Sequence, residues 1–165
     1  MGASGWQYFV PYQEDIQQAL SDLRDQVFES GRYYKRFPFW QEMNEEDYAN
    51  SDAPQHQGMV EWIRGMKAMK EPTTLQELME WNGEDGTHSI LDINRVGDKP
   101  DIGVAAPLSE AEMMEFFDST QPNREAVETG LDSLQSFRQR GEATYVIIYD
   151  DGKPSEIFFV GYSGD

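Results

Sequence analysis

A chain of 165 residues without cysteine is long enough to bury a core unaided by disulfides, and it offers neither a thiol nucleophile nor a thiolate metal site. Its 13 basic residues against 31 acidic ones leave a formal net charge of −18, a field that repels nucleic-acid phosphates and anionic membranes and steers basic partners inward. The acids are spread through the whole sequence with no acidic tail, so the charge belongs to the folded surface generally and also suits solubility or salt tolerance.

The opening MGASGWQYF has neither the basic nor the apolar stretch of a signal peptide, and Trp6 stands where a myristoylation motif wants Ser or Thr. No run approaches membrane-spanning length. The expectation is a cytoplasmic protein that contacts no membrane.

Trp6 to Val10 reads as a first strand, stopped by Pro11. A helix follows from about Gln13 to Ser30, with Ile16, Leu20, Leu23 and Val27 on one stripe and Gly31 as its stop. Then comes RYYKRFPFW, residues 32–40, where five aromatics accompany Arg32, Lys35 and Arg36. Basic residues interleaved with aromatics can stack bases or grip phosphate. The plainer reading anchors the aromatics in the core and pairs the basic heads with the abundant carboxylates.

Residues 42–54 are polar and acidic and read as a loop with at most one helical turn. Glu45, Glu46 and Asp47 lack the ligand spacing of a calcium loop. His56 to Lys70 places Met59, Val60, Ile63 and Met66 on one helical face. Thr74 and Glu77 form a capping box for a helix to Trp81, stopped by Asn82-Gly83. Thr87 to Val96 reads as a strand. Ser109 and Glu112 form a second capping box, for a helix with Met113, Phe116 and Phe117 inward. Asn123 caps a last helix through Arg140, with Val127, Leu131, Leu134 and Phe137 as its stripe.

The clearest element is Ala143 to Ser163, two apolar runs joined across Asp151-Gly152, the signature of a tight hairpin. Because both runs are apolar on both faces, the hairpin is expected to be covered on both sides at least in part. The fold class expected is α+β: one domain spanning 1–165, with helices packed on a mostly antiparallel sheet that ends in a C-terminal β-hairpin.

Chemistry is harder to find. His88, Ser89 and Asp92 suggest a nucleophile, base and orienter, but on a strand His88 and Asp92 would stand about 13 Å apart while Ser89 faced the other way. Asp150 and Asp151 are explained by the turn, and with Asp165 they are a poor metal set. No dinucleotide fingerprint, phosphate-binding loop or serine elbow is present. No catalytic residue, metal or cofactor is assigned.

The functional expectation is a non-enzymatic acidic domain that binds a basic protein partner, as an inhibitor or immunity-type protein does. Its surface would draw on Tyr33, Tyr34, Lys35, Arg36, Phe39 and Trp40, with Glu42, Glu45, Glu46 and Asp47 as a rim. Trp62 and Trp81 are further candidate anchors. One alternative is an enzyme or ligand-binding domain with a pocket beside the hairpin, lined by Tyr145, Tyr149 and Tyr162 with His88 and Arg95. Another is a DNA mimic whose carboxylates imitate phosphates. Direct nucleic-acid binding is not expected.

Overall fold

The computed structural model describes residues 4–36, 39–50, 53–56, 58–135 and 137–163; of Phe39, Gln55 and Gln135 it describes the backbone alone. Phe37, Pro38 and Asp165 therefore lie outside it. The described chain resolves into two compact units, one running through Tyr34 and resuming at Asn82, the other formed by Lys35–Trp81.

The first unit is built on a five-stranded sheet with the order β1-β5-β4-β3-β2: β1 (Gly5–Pro11), β2 (Arg95–Val96), β3 (Val104–Pro107), β4 (Ala143–Asp150) and β5 (Lys153–Tyr162). β4 and β5 pair antiparallel across Asp151-Gly152, both at positive φ (47° and 75°) as a two-residue turn of this kind requires. β1 adds to β5 antiparallel, whereas β3 joins β4 and β2 joins β3 in parallel. The sheet is thus mixed, which corrects the mostly antiparallel expectation. The cause lies in the stretch between β3 and β4, where three helices carry the chain over the sheet and return it in the same direction.

Those helices are α5 (Glu110–Phe117), α6 (Arg124–Thr129) and α7 (Leu131–Gln135). Ser109 and Glu112 close the expected capping box, and the Asn123 side chain accepts the Ala126 N–H. The single helix expected through Arg140 is broken at Gly130 and stops at Gln135. Leu108, Val127 and Leu134 meet Val146, Ile148, Phe158 and Val160 in one core. On the opposite face of β5, Ile157 and Phe159 are also fully buried, so this strand is covered on both sides. β4 is covered less evenly, because Tyr145, Ile147 and Tyr149 remain partly accessible.

Helix α1 (Ile16–Ser30) is capped by Asp15, whose side chain accepts the Gln18 N–H, and closes on Gly31 at φ 66°. It buries Ala19, Leu20, Leu23 and Val27. Two polar ties hold it to the segment before β3: the Gln17 side chain accepts the Val96 N–H at 2.8 Å, and Arg24 donates to the Leu91 carbonyl at 3.4 Å.

The second unit is helical, with α2 (Glu46–Ala49), α3 (Met59–Lys67) and α4 (Leu75–Asn82), whose final residue already belongs to the first unit. Thr74 and Glu77 cap α4 as expected, and Glu77 also accepts from the Thr73 N–H and hydroxyl. The buried apolar side chains here are Trp40, Ile63 and Leu78, and the Trp40 ring meets Trp81 at 5.6 Å between centroids. Among the described residues no helix is long and apolar enough to cross a membrane.

Candidate functional site

The aromatic and basic residues proposed as a binding surface are divided between the units. Tyr33 and Tyr34 belong to the sheet unit. The Tyr33 ring stacks on Phe28 at 5.9 Å, and Tyr34 stacks on His88 at 4.5 Å with an interplanar angle of 12° while its N–H donates to the Thr87 carbonyl. Tyr34 is 38% exposed. Lys35, Arg36, Phe39, Trp40, Glu42, Glu45, Glu46 and Asp47 belong to the helical unit.

Within that unit Lys35 pairs with Glu71 at 2.6 Å and Glu45 with Arg64 at 2.7 Å. The Arg36 carbonyl accepts the Trp81 indole N–H. Trp40 is 6% exposed and packs inside the unit, where the plainer reading of the aromatic segment put it. Glu42, Glu46 and Asp47 face solvent.

The segment 87–92 is not the strand expected from its alternation. His88 adopts φ 54°, Ile90–Asp92 form a 3₁₀ turn, and only Arg95–Val96 pair as strand. The Asp92 carboxylate causes this. Its Oδ1 accepts the Thr87 N–H at 2.7 Å and the Thr87 hydroxyl at 2.8 Å. That N–H is a donor a strand would have given to a neighbour. Ser89 is 2% exposed; its hydroxyl lies 2.8 Å from that of Thr87 and accepts the Leu91 N–H. The serine and aspartate are thus occupied with holding the turn, and the His88 ring is laid against Tyr34.

One atom of the cluster remains unmatched: Asp92 Oδ2 is buried with no hydrogen-bond partner among the described residues, as is Arg24 Nε. Burial pushes the Asp92 carboxyl above its ordinary range, opposed by the bonds from Thr87 and Ser89. Burial likewise lowers the Arg24 guanidinium, opposed by the nearby charges of Asp25 and Asp92.

The residues proposed beside the hairpin do not converge. Tyr149 is opposite Pro154 near the turn and Tyr162 is opposite Gly5 at the far end of β5. Eight strand positions separate those points, about 27 Å at ~3.4 Å per residue. Tyr145 and Tyr149 do line a cavity of about 130 Å³ with Pro107, Leu108, Met113 and Ile147. Neither His88 nor Arg95 lines it, and Arg95 lies 3.6 Å from Asp101.

A larger cleft of about 350 Å³ lies wholly within the helical unit, between the 69–73 connection and α4. Met69, Pro72 and Trp81 give it apolar surface, Glu71, Glu77 and Glu80 carry carboxylates along it, and Lys70 is the one basic residue in its lining. Trp62, elsewhere in the same unit, is 42% exposed and Met69 is 48% exposed. Sequence reasoning singled out Trp81 but not the cleft. The readable signal was the spacing of Glu77, Glu80 and Trp81, which puts Glu77 and Trp81 one above the other on α4 with Glu80 beside them.

Among the described residues no group of three or more His, Asp or Glu side chains is arranged to hold a metal ion. No protein-family model matches this chain, and neither a curated protein nor a solved structure is significantly similar to it.

Proposed function

We propose that the protein is a non-catalytic binding domain that receives a basic segment of a protein partner, with the cleft of the 35–81 unit as the receiving surface. The observation that carries this reading is the composition of the cleft: an indole and a thioether flanked by three carboxylates against one lysine, Lys70, on a chain of net charge −18. A lysine or arginine head is attracted by the carboxylates and by the face of Trp81, while its aliphatic stem covers Met69 and Pro72. The partner's positive charge speeds encounter, and a few desolvated contacts hold the complex. An inhibitor or immunity-type role in the cytoplasm is the finer form of this proposal.

The test is titration with an arginine- and lysine-rich peptide and with a neutral peptide of the same length, followed by tryptophan fluorescence. The basic peptide is expected to bind more weakly as salt rises, and Glu80→Gln is expected to weaken it several-fold at unchanged melting temperature. Equal binding of both peptides, or of parent and Glu80→Gln, rejects the cleft.

A further inference from the structure

β1 is an edge strand, paired on one side only. Its register shows which groups face outward. The Tyr12 N–H donates to the Ser155 carbonyl and the Ser163 N–H to the Ser4 carbonyl. In an antiparallel pair such bonded positions recur every second residue. Trp6, Tyr8 and Val10 therefore exchange bonds with β5, while the main-chain groups of Gly5, Gln7 and Phe9 point away from the sheet. Those groups have no partner among the described residues. An open edge of this kind is a template for another strand unless it is covered.

Alongside this edge runs a cleft of about 360 Å³. Tyr8, Phe9 and Val10 line it from the strand, and Leu23 and Val27 supply an apolar wall from α1. Arg32, in the turn after α1, also lines it. In so acidic a chain its environment is unusual. Arg64, Arg95, Arg124 and Arg138 each have a carboxylate within 4 Å, but the Arg32 guanidinium has no hydrogen-bond or ion-pair partner among the described residues. Burial pushes the Tyr8 hydroxyl upward, opposed by a hydrogen bond to the Ile90 main chain and by the charge of Arg32.

We propose that the cleft between the free edge of β1 and the C-terminal half of α1 takes the extended C-terminal tail of a partner protein as an added strand, with Arg32 receiving the terminal carboxylate. Main-chain donors and acceptors of Gln7 and Phe9 pair with the tail, and its inward side chains rest against Leu23 and Val27. The arginine fork suits a carboxylate in two-point contact. A free terminus is favoured over an acidic segment because the surrounding surface repels accumulated negative charge. A single terminal carboxylate on an otherwise neutral or basic tail satisfies both conditions. This surface belongs to the sheet unit and does not depend on the cleft of the 35–81 unit.

The experiment selects binders for the full chain from a library of random seven-residue C-terminal tails, then resynthesises the strongest as free acid and as amide. The acid is expected to bind, and amidation or Arg32→Gln to weaken it about tenfold or more. Gln7→Pro removes an outward N–H that carries no ladder bond, so it too should lose affinity; if that variant fails to fold, Arg32→Gln still decides. Amide resonances of Gln7 and Phe9 should shift on binding, and those of residues 69–81 should not. No enriched tail, equal binding of acid and amide, full affinity in Arg32→Gln, or shifts confined to residues 69–81 would each overturn the proposal.

Discussion

The two units are held together in different ways. In the sheet unit four consecutive residues of β5, Ile157 to Val160, are essentially inaccessible, and Leu20, Ile90, Leu91 and Ile93 are as deeply buried. The 35–81 unit buries Trp40, Ile63 and Leu78, and much of its remaining fastening is polar and exposed. Arg64 reaches Glu45, Lys35 reaches Glu71, and Lys67 donates to the Met43 carbonyl. Apolar burial contributes roughly 25 cal/mol per Å² whatever the exact geometry, whereas exposed ion pairs contribute about 0–1 kcal/mol each. The sheet unit is therefore the rigid scaffold, and the helical unit is the part expected to open locally and adapt its surface to a partner.

The comparison breaks most directly on the cores. Phe158→Ala empties a site in the middle of the sheet and should cost about 3–5 kcal/mol, read by chemical denaturation. Ile63→Ala should cost about 2–5 kcal/mol, with the loss of amide protection concentrated in residues 59–81. A Phe158→Ala variant that unfolds at the parent's midpoint would mean that β5 is not the structural centre.

Gly161 sharpens the same point with a smaller effect. A Cβ at this position would come 2.5 Å from the Trp6 ring and 2.9 Å from the Glu142 carbonyl, so neither ring nor main chain leaves room. Gly161→Ala should cost about 1–3 kcal/mol through overpacking. Near-UV circular dichroism should report a displaced Trp6. An unchanged spectrum and midpoint would show that the ring moves aside freely.

The sequence reveals elements whose signals are local. The β4–β5 turn is legible because Asp151-Gly152 sits between two apolar runs, and α1 because its stripe repeats over four turns between Asp15 and Gly31. β3 is invisible at that level, since Val104, Ala105 and Ala106 are short, small and unpatterned, and their burial comes from neighbours distant in sequence. The 87–96 stretch misleads because Ser89, Leu91 and Ile93 do alternate. What overrules the pattern is the contact of Asp92 with Thr87, which periodicity cannot register. The candidate site was less legible than the fold. Trp40 and Trp81 have the same composition signal, yet one is packed inside and the other lines a cleft.

Asp92 tests whether that contact organises the sheet unit. Asp92→Ala strands the N–H and hydroxyl of Thr87 and should cost about 1–3 kcal/mol; Asp92→Asn keeps one acceptor oxygen and should cost less. Burial raises this carboxyl in the folded state, so the unfolded chain ionises first as pH increases, near ~3.9. The stability contributed by the group is therefore fully present below the unfolded pKa and lost as pH rises through the folded one. Asn does not titrate. The stability difference between Asp92→Asn and the parent should move in the variant's favour from pH 3 to pH 7, measured as paired denaturation midpoints. A difference that stays flat or moves the other way contradicts the buried carboxylate.

The smallest effect on stability belongs to Lys35→Ala, and it separates stability from binding within the helical unit. The Lys35 ammonium lies 2.6 Å from Glu71, with side chains 34% and 67% exposed. Water screens such a pair to about 1 kcal/mol at contact, and ordering two long side chains offsets part of that. The expected loss is about 0–1 kcal/mol, shrinking further in high salt. Glu71, however, lines the cleft proposed for a basic segment. Removing Lys35 frees its carboxylate and takes away a competing cation, so the variant should bind a lysine- and arginine-rich peptide more tightly than the parent at low salt. Weaker binding at unchanged stability would instead make Lys35 itself a contact, placing the site on the basic segment rather than in the acidic cleft.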